Sequence, residues 1–155
     1  MEDKKKLGKF CPKLTRRNCA SKAASIFDLT GLLAPVLAGI KCLMRETVKA
    51  TTDWDDKIPV NLREIWLEAF LLMEKLRGIG FDRPVMPRTA VNSKLRLIMA
   101  SDAAKSATMV GVWVGFQLPN GKYSSRLVIG RSPLSADTTI PRLELEAANA
   151  VAKLG

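Results

Sequence analysis

The stretch LRLIMASDAAKSATMVGVWVGFQLPNGKYSSRLVIGRSPLSADTTIPRLELEAANAV, residues 95–151, decides how this chain folds. Leu95, Leu97 and Met99 alternate with Arg96 and Ile98, the period-two pattern of a strand, and Asp102 stands at its C-terminal end. A second strand is expected over Val110–Leu118 and a third over Tyr123–Ile129. Between them lies Pro119-Asn120-Gly121, and Asn-Gly is the strongest short-range hairpin signal because both residues accept the positive φ of a tight turn. The period then changes to that of a helix. Pro141 suits its first turn, Leu143, Ala147, Ala150 and Val151 form its apolar side, and Glu144 is read in its opening turn. Three strands and then a helix place one acid at the end of the first strand and one on the helix.

Upstream, the pattern is helical. Ser21–Phe27 reads as a short helix that stops before Gly31, and Pro35 suits the first turn of a second over 36–51. Leu37, Ile40, Met44 and Val48 line one side of that second helix. Lys41, Arg45 and Lys49 recur at four-residue spacing and form a basic stripe, either a solvated face or a rail along a nucleic-acid backbone. Asp53-Trp54-Asp55-Asp56 reads as an acidic turn before Pro59. It lacks the glycine and distal glutamate of a calcium loop. Leu62, Ile65, Trp66, Ala69, Phe70, Met73 and Leu76 then mark the clearest amphipathic helix, with Trp66 and Phe70 as core. The expected organisation is a basic, disordered arm over 1–22, a helical region over 23–90 and a β-β-β-α segment over 91–155, an α+β fold.

The 155 residues carry 25 Lys and Arg against 15 Asp and Glu, for a net charge of +10, and contain no His. Without His there is no Ser-His-Asp or Cys-His relay and no imidazole-based zinc site. Residues 1–22 hold eight basic and two acidic side chains, so +6 of the charge sits in the arm and favours polyanionic partners. Three cysteines, at 11, 19 and 42, leave one unpaired in any disulfide scheme, pointing to a reducing intracellular setting, cytoplasmic or nuclear. The most apolar run, 29–40, is broken by Gly31, Pro35 and Gly39 and is too short to span a bilayer, which takes about 20 apolar residues. No membrane partner is expected.

The chemistry left open is that of carboxylates. Asp102 and Glu144, from different elements, are hard oxygen ligands of the kind that hold Mg²⁺ or Mn²⁺. A two-metal phosphodiester site needs several such groups. The structural alternative is that Asp102 ends its strand and Glu144 favours the helix N-terminus.

Four blocks, in order, resemble a known family. Ser25-Ile26-Phe27-Asp28 followed by Gly31-Leu32-Leu33-Ala34-Pro35 resembles the S-x-F-D-P-x-G-L-x-x-P block of BEL/Pao retrotransposon Pol polyproteins. Trp54-Asp55-Asp56 with Pro59 resembles the following W-D-x-x-(I/L)-P, Ser101-Asp102-Ala103 resembles S-D-A-S, and Thr139–Leu145 matches T-I-P-R-L-E-L. The resemblance runs from about Thr15 to Gly155. Leu29 stands in place of the usual Pro, Ala104 in place of Ser, and Thr108-Met109-Val110 in place of an aromatic-glycine step.

In that family this stretch, often labelled a Pao retrotransposon peptidase region, joins the end of reverse transcriptase to the start of a ribonuclease H domain. The resemblance implies the first half of a ribonuclease H-like fold after a reverse-transcriptase-like helical region. It makes Asp102 and Glu144 the first two catalytic acids, binding Mg²⁺ or Mn²⁺ to cut the RNA strand of an RNA–DNA hybrid. Proteolysis is not expected, since Asp137-Thr138-Thr139 lacks the glycine of an aspartic protease motif. The two remaining acids would lie beyond residue 155 and the polymerase aspartates upstream, so the expectation is a truncated or relic Pol fragment that is inactive alone. Two further classes stand beside it. One is a non-catalytic module binding RNA, DNA or their hybrid through the arm, Lys41, Arg45, Lys49 and Arg142. The other is a protein-interaction fragment whose open sheet edge pairs with retroelement proteins or with itself. In the ribonuclease H fold a fourth strand flanks the first; without it the edge is open, and 91–155 is expected to lean on the 23–77 helices, a partner or a second copy.

Overall fold

The structure, a computed structural model, describes residues 14–80, 90, 94–135 and 138–154. It is α+β, with three helices, then three antiparallel strands, then a helix. The elements are α1 (Arg16–Ala24), α2 (Ala34–Ala50), α3 (Val60–Leu76), β1 (Arg96–Ala103), β2 (Thr108–Gln117), β3 (Tyr123–Arg131) and α4 (Ile140–Ala152). Two compact units form, one from Met1–Phe27 with Gly39–Phe81 and the other from Asp28–Ala38 with Asp82–Gly155. The division falls within α2.

In the helical unit, α1 begins earlier than the sequence pattern suggests, at Arg16 rather than Ser21, and it ends at Ala24. Helix starts need partners for their free amides, and here they come from two sources. The Thr15 hydroxyl accepts from the Asn18 amide at 3.3 Å, as an N-cap does. The amides of Arg16 and Arg17 donate to the carbonyls of Asp56 and Trp54 at 3.2 and 2.8 Å, and Ile58 N–H donates to Leu14 O at 2.9 Å. The segment 14–22 of the expected disordered arm is therefore ordered, with helix from Arg16. The rest of the arm lies outside the described residues.

The core of this unit contains Cys19, Ile40, Ile58, Trp66, Phe70 and Met73. Trp66 and Phe70 meet with ring centroids 5.5 Å apart and planes tilted by 44°. A buried indole N–H requires an acceptor, and Thr47 Oγ1 provides it at 2.8 Å while donating its own proton to Leu43 O at 2.9 Å. Of the apolar side read on α3, Ile65 is exposed, because the buried stripe runs through Trp66, Phe70 and Met73.

In the second unit the sheet order is β1-β2-β3, all antiparallel. The turn after β2 falls where Asn-Gly predicts it, but only the glycine of the pair takes positive φ, so it is not the turn in which both residues are left-handed. Gly121 has φ +79°, and Leu118 N–H reaches Lys122 O at 2.8 Å. β2 is the central, buried strand, with a bulge in its pairing to β3 between Val112 and Trp113. α4 packs on β1 and β2. Val110, Val112, Ala147 and Val151 form the core there, with Ala103, Ile129, Ala150 and Leu154 packed against it.

The two outer edges of the sheet differ. Gly130 N–H of β3 donates outward to Thr30 O at 2.7 Å, and Ser132 Oγ donates to Ala34 O at 2.8 Å. The segment carrying these carbonyls is shaped by Asp28, whose carboxylate accepts the amides of Gly31, Leu32 and Leu33 at 3.0, 3.1 and 2.8 Å. Gly31 has φ +76°, and a Cβ there would overlap the carbonyl oxygen of Gly130. The D-x-x-G element thus lies along β3, inside the sheet unit, although the sequence places it within the 23–90 helical region. Along β1 no described residue plays this part, and Leu97, Ile98 and Met99 are 62%, 48% and 50% exposed.

Candidate functional site

Asp102 is the penultimate residue of β1, opposite Met109, and its side chain is exposed. Its Oδ1 accepts the Ala103 amide at 2.9 Å. The strand end is held by the hairpin that follows. Ala104 N–H donates to Ala107 O at 3.0 Å, Ser135 Oγ donates to Ala104 O at 2.6 Å, and Thr108 Oγ1 lies 3.2 Å from Ser135 Oγ. Thr108 and Ser135 are buried, so this hydroxyl pair fixes the backbone next to Asp102.

Glu144 is exposed on α4 beside buried Leu143. It stands just past the first turn, which holds no acid, so a stabilising interaction with the helix dipole does not explain it. Thr139 occupies the N-cap position without a side-chain hydrogen bond.

Strand alternation decides how the two acids relate. Ala103 packs into the cluster beneath α4, together with Val110 and Val112, so Asp102 next to it is directed to the opposite face of β1. No hydrogen bond joins Asp102 to Glu144, and among the described residues no three acidic or thiol side chains gather as a metal centre would require. Asp102 and Glu144 thus stand as two carboxylates without a third described ligand beside them, fewer than a two-metal site needs, and no catalytic step through a cation follows from them.

The four basic candidates divide between the units. Lys41 is exposed on α2, Arg45 is half-buried with Nε enclosed, and Lys49 Nζ pairs with Glu46 at 3.1 Å. The stripe is therefore uneven rather than an open rail. Arg142 Nε, on α4, lies 3.4 Å from Glu146 Oε1, with both side chains more than half exposed.

Arm and acidic-turn residues meet instead. Arg17 binds Asp55 through two hydrogen bonds, at 2.8 and 3.0 Å, a fork-to-fork pairing that lowers the Asp55 pKa and raises that of Arg17. The Arg16 guanidinium lies 4.5 Å from the centroid of the Trp54 ring. Backbone amides of Asp53 and Thr52 hold the Asp56 carboxyl below its ordinary pKa, bonding to it at 2.7 and 2.8 Å. Lys22 does the same for Glu74 from 2.8 Å. The W-D-D turn is thus a clamp for α1, not a cation site. The clamp was not legible because it joins residues almost forty positions apart; the only sequence signal was the co-occurrence of the two blocks.

Among the described residues no helix is long and apolar enough to cross a membrane. No curated protein and no solved structure matches the chain. A family model does match, described as the Pao retrotransposon-like RNaseH-like domain, over residues 15–155. That match begins at the threonine that caps α1 and takes in both units, their D-x-x-G and W-D-D elements included. The chain belongs to the Pao retrotransposon-like RNaseH-like domain family.

Proposed function

We propose that these residues serve a retroelement Pol polyprotein as a nucleic-acid-engaging, ribonuclease H-like segment that does not cleave RNA by itself. The observation that carries this reading is that no third acidic or thiol side chain joins the two family-type acids, Asp102 and Glu144, among the described residues. Divalent-metal phosphodiester chemistry needs ligands that share one small volume. The β-β-β-α order and the family support an RNA–DNA hybrid as the substrate class. Asp102 and Glu144 are the acids that would take part in a completed site, with Mg²⁺ or Mn²⁺ as its cofactor.

Binding without cleavage falls to the basic side chains. Lys41, Arg45, Lys49 and Arg142, with the lysines of the arm, supply phosphate contacts, each adding about one unit to the salt dependence of affinity. The test is incubation of the chain with a labelled RNA–DNA hybrid and Mn²⁺, beside a binding titration at several salt concentrations. Salt-sensitive binding with no cut strand is expected. Cleavage that disappears in Asp102→Asn would overturn the reading.

A further inference from the structure

The end of the sheet farthest from Asp102 carries positive charge that no described residue balances. Arg96 opens β1, Lys94 precedes it, Lys122 ends the β2–β3 turn and Arg126 lies on β3, while no Asp or Glu occurs in 94–97 or 114–126. All four cations are exposed, and none forms an ion pair with another described residue. Elsewhere cations are matched, Arg17 by Asp55, Lys22 by Glu74, Lys49 by Glu46 and Arg142 by Glu146.

Strand pairing gathers these side chains. Arg96 lies opposite Gly115 and Gly115 opposite Ser125, while Gln117 pairs with Tyr123. At about 4.8 Å per strand, β1 and β3 are about 10 Å apart. Arg96 crosses that gap over Gly115, which has no side chain in the way, and its guanidinium comes to 6.0 Å from the Tyr123 ring centroid, the outer limit of a cation–π contact. Tyr123 is itself 69% exposed, so its ring adds little to the core. Arg126, three residues further along β3, stands on the other face, and the charge wraps around the end of the sheet.

Exposed cations alone describe a solvated surface. An exposed ring set among them is different, because every base has a face that stacks on an aromatic side chain and cations beside the ring meet the neighbouring phosphates. We propose that this hairpin end binds single-stranded nucleic acid, with a base stacked on Tyr123, Arg96 and Lys122 on the flanking phosphates, and Lys94 and Arg126 adding to the field. The proposal rests on the nucleic-acid reading above and gives it a place for an unpaired strand. Arg96 and Asp102 are six residues apart on β1, about 20 Å, so a strand held here leaves Asp102 uncovered.

Tyr123 is the only tyrosine of the chain, so incorporated fluorotyrosine gives a single fluorine NMR resonance. Titrating the full chain with oligothymidylate should shift that resonance along the isotherm read from the anisotropy of the fluorescein-tagged oligonucleotide. Tyr123→Ala should weaken binding about tenfold at an unchanged salt slope, whereas Tyr123→Phe, which keeps the ring, should stay within about twofold of the parent. Arg96→Gln and Lys122→Gln should each lower the slope of log affinity against log salt by about 0.7, the value per phosphate of a single strand. Circular dichroism establishes that each variant is folded. Annealing the probe to oligoriboadenylate makes an RNA–DNA hybrid whose bases offer no free face, and there Tyr123→Ala should cost less. Oligothymidylate that does not bind, a resonance that stays in place while it binds, or an equal loss on both probes would overturn the inference. In each of those cases a hybrid bound and left uncut keeps the proposed function standing. A hybrid cut in an Asp102-dependent way, beside a shifted resonance, would overturn that function and leave this surface.

Discussion

Replacing Gly31 by alanine is expected to lower the stability of the sheet unit by about 1–4 kcal/mol, more than the addition of one methyl group suggests. Two costs add. An L-residue at φ +76° sits in the left-handed region, at about 1–2 kcal/mol. The new methyl also lies 2.8 Å from Gly130 Cα and overlaps that residue's carbonyl, and neither is a flexible side chain that can swing aside. Forced overpacking of this kind costs about 1–3 kcal/mol. If the segment withdraws instead, the Gly130 N–H to Thr30 O bond is lost, at about 1 kcal/mol. The smaller entropy of the unfolded alanine chain offsets about 0.4–1 kcal/mol of these costs. Gly121 is the internal control. Its φ is +79° but a Cβ there meets open space, so Gly121→Ala carries only the backbone term, about 1–2 kcal/mol. Thermal unfolding followed by circular dichroism should place Gly31→Ala about 10 °C below the parent and Gly121→Ala about 3 °C below it, at roughly 2–4 °C per kcal/mol for this size. Hydrogen exchange at the Gly130 amide should accelerate only in the first. Equal losses for the two variants would refute the close approach of Gly31 to Gly130.

Thr47→Val keeps the shape of a fully buried side chain but strands the Trp66 indole N–H, and should cost about 1–3 kcal/mol, read from the denaturation midpoint and a shifted Trp66 fluorescence. An unchanged midpoint would mean the indole has another acceptor. The helical unit should also be acid-labile. Asp55, Asp56 and Glu74 have folded pKa values below their unfolded ones, so their contribution is present above the ordinary carboxylate values of about 4 and is lost as pH falls through the lower folded values. Melting temperature should therefore drop below about pH 4, and Asp56→Asn should remove part of that dependence. A flat profile from neutral to strongly acidic pH would contradict it.

The parts of the fold legible in sequence are those that carry their own periodicity. β1, β2 and β3 show strand-type sequence even though only β2 is buried, α3 and α4 each bury one stripe, and Asn120-Gly121 marks the hairpin locally. α1 is different. RRNCASKAA buries only Cys19, so there is hardly an apolar stripe to read, and the helix starts where it does because Thr15 and the carbonyls of residues 54 and 56 receive its first amides. The same holds for Asp28–Ala38. Its block resemblance is visible, but its attachment to β3 rests on bonds such as Ser132 to Ala34, 98 residues apart. The candidate site shows the limit most clearly. The identities of Asp102 and Glu144 follow from the motifs, whereas the face of β1 that each residue takes does not: Ala103, not Asp102, packs against α4. That choice of face depends on the register between β1 and β2 and has no local signature.

The strip Asp28–Ala38 also sets the order in which this chain can be finished during synthesis. It leaves the ribosome about 98 residues ahead of Ser132, and at ~5–20 residues per second it waits roughly 5–20 s for the strand it completes. During that interval the helical unit has every residue it needs and the sheet unit does not. Folding of the sheet is thus bounded by translation of its last strand and by a long loop closure, and the interval is when the chain is most open to capture by a chaperone or by a neighbouring copy.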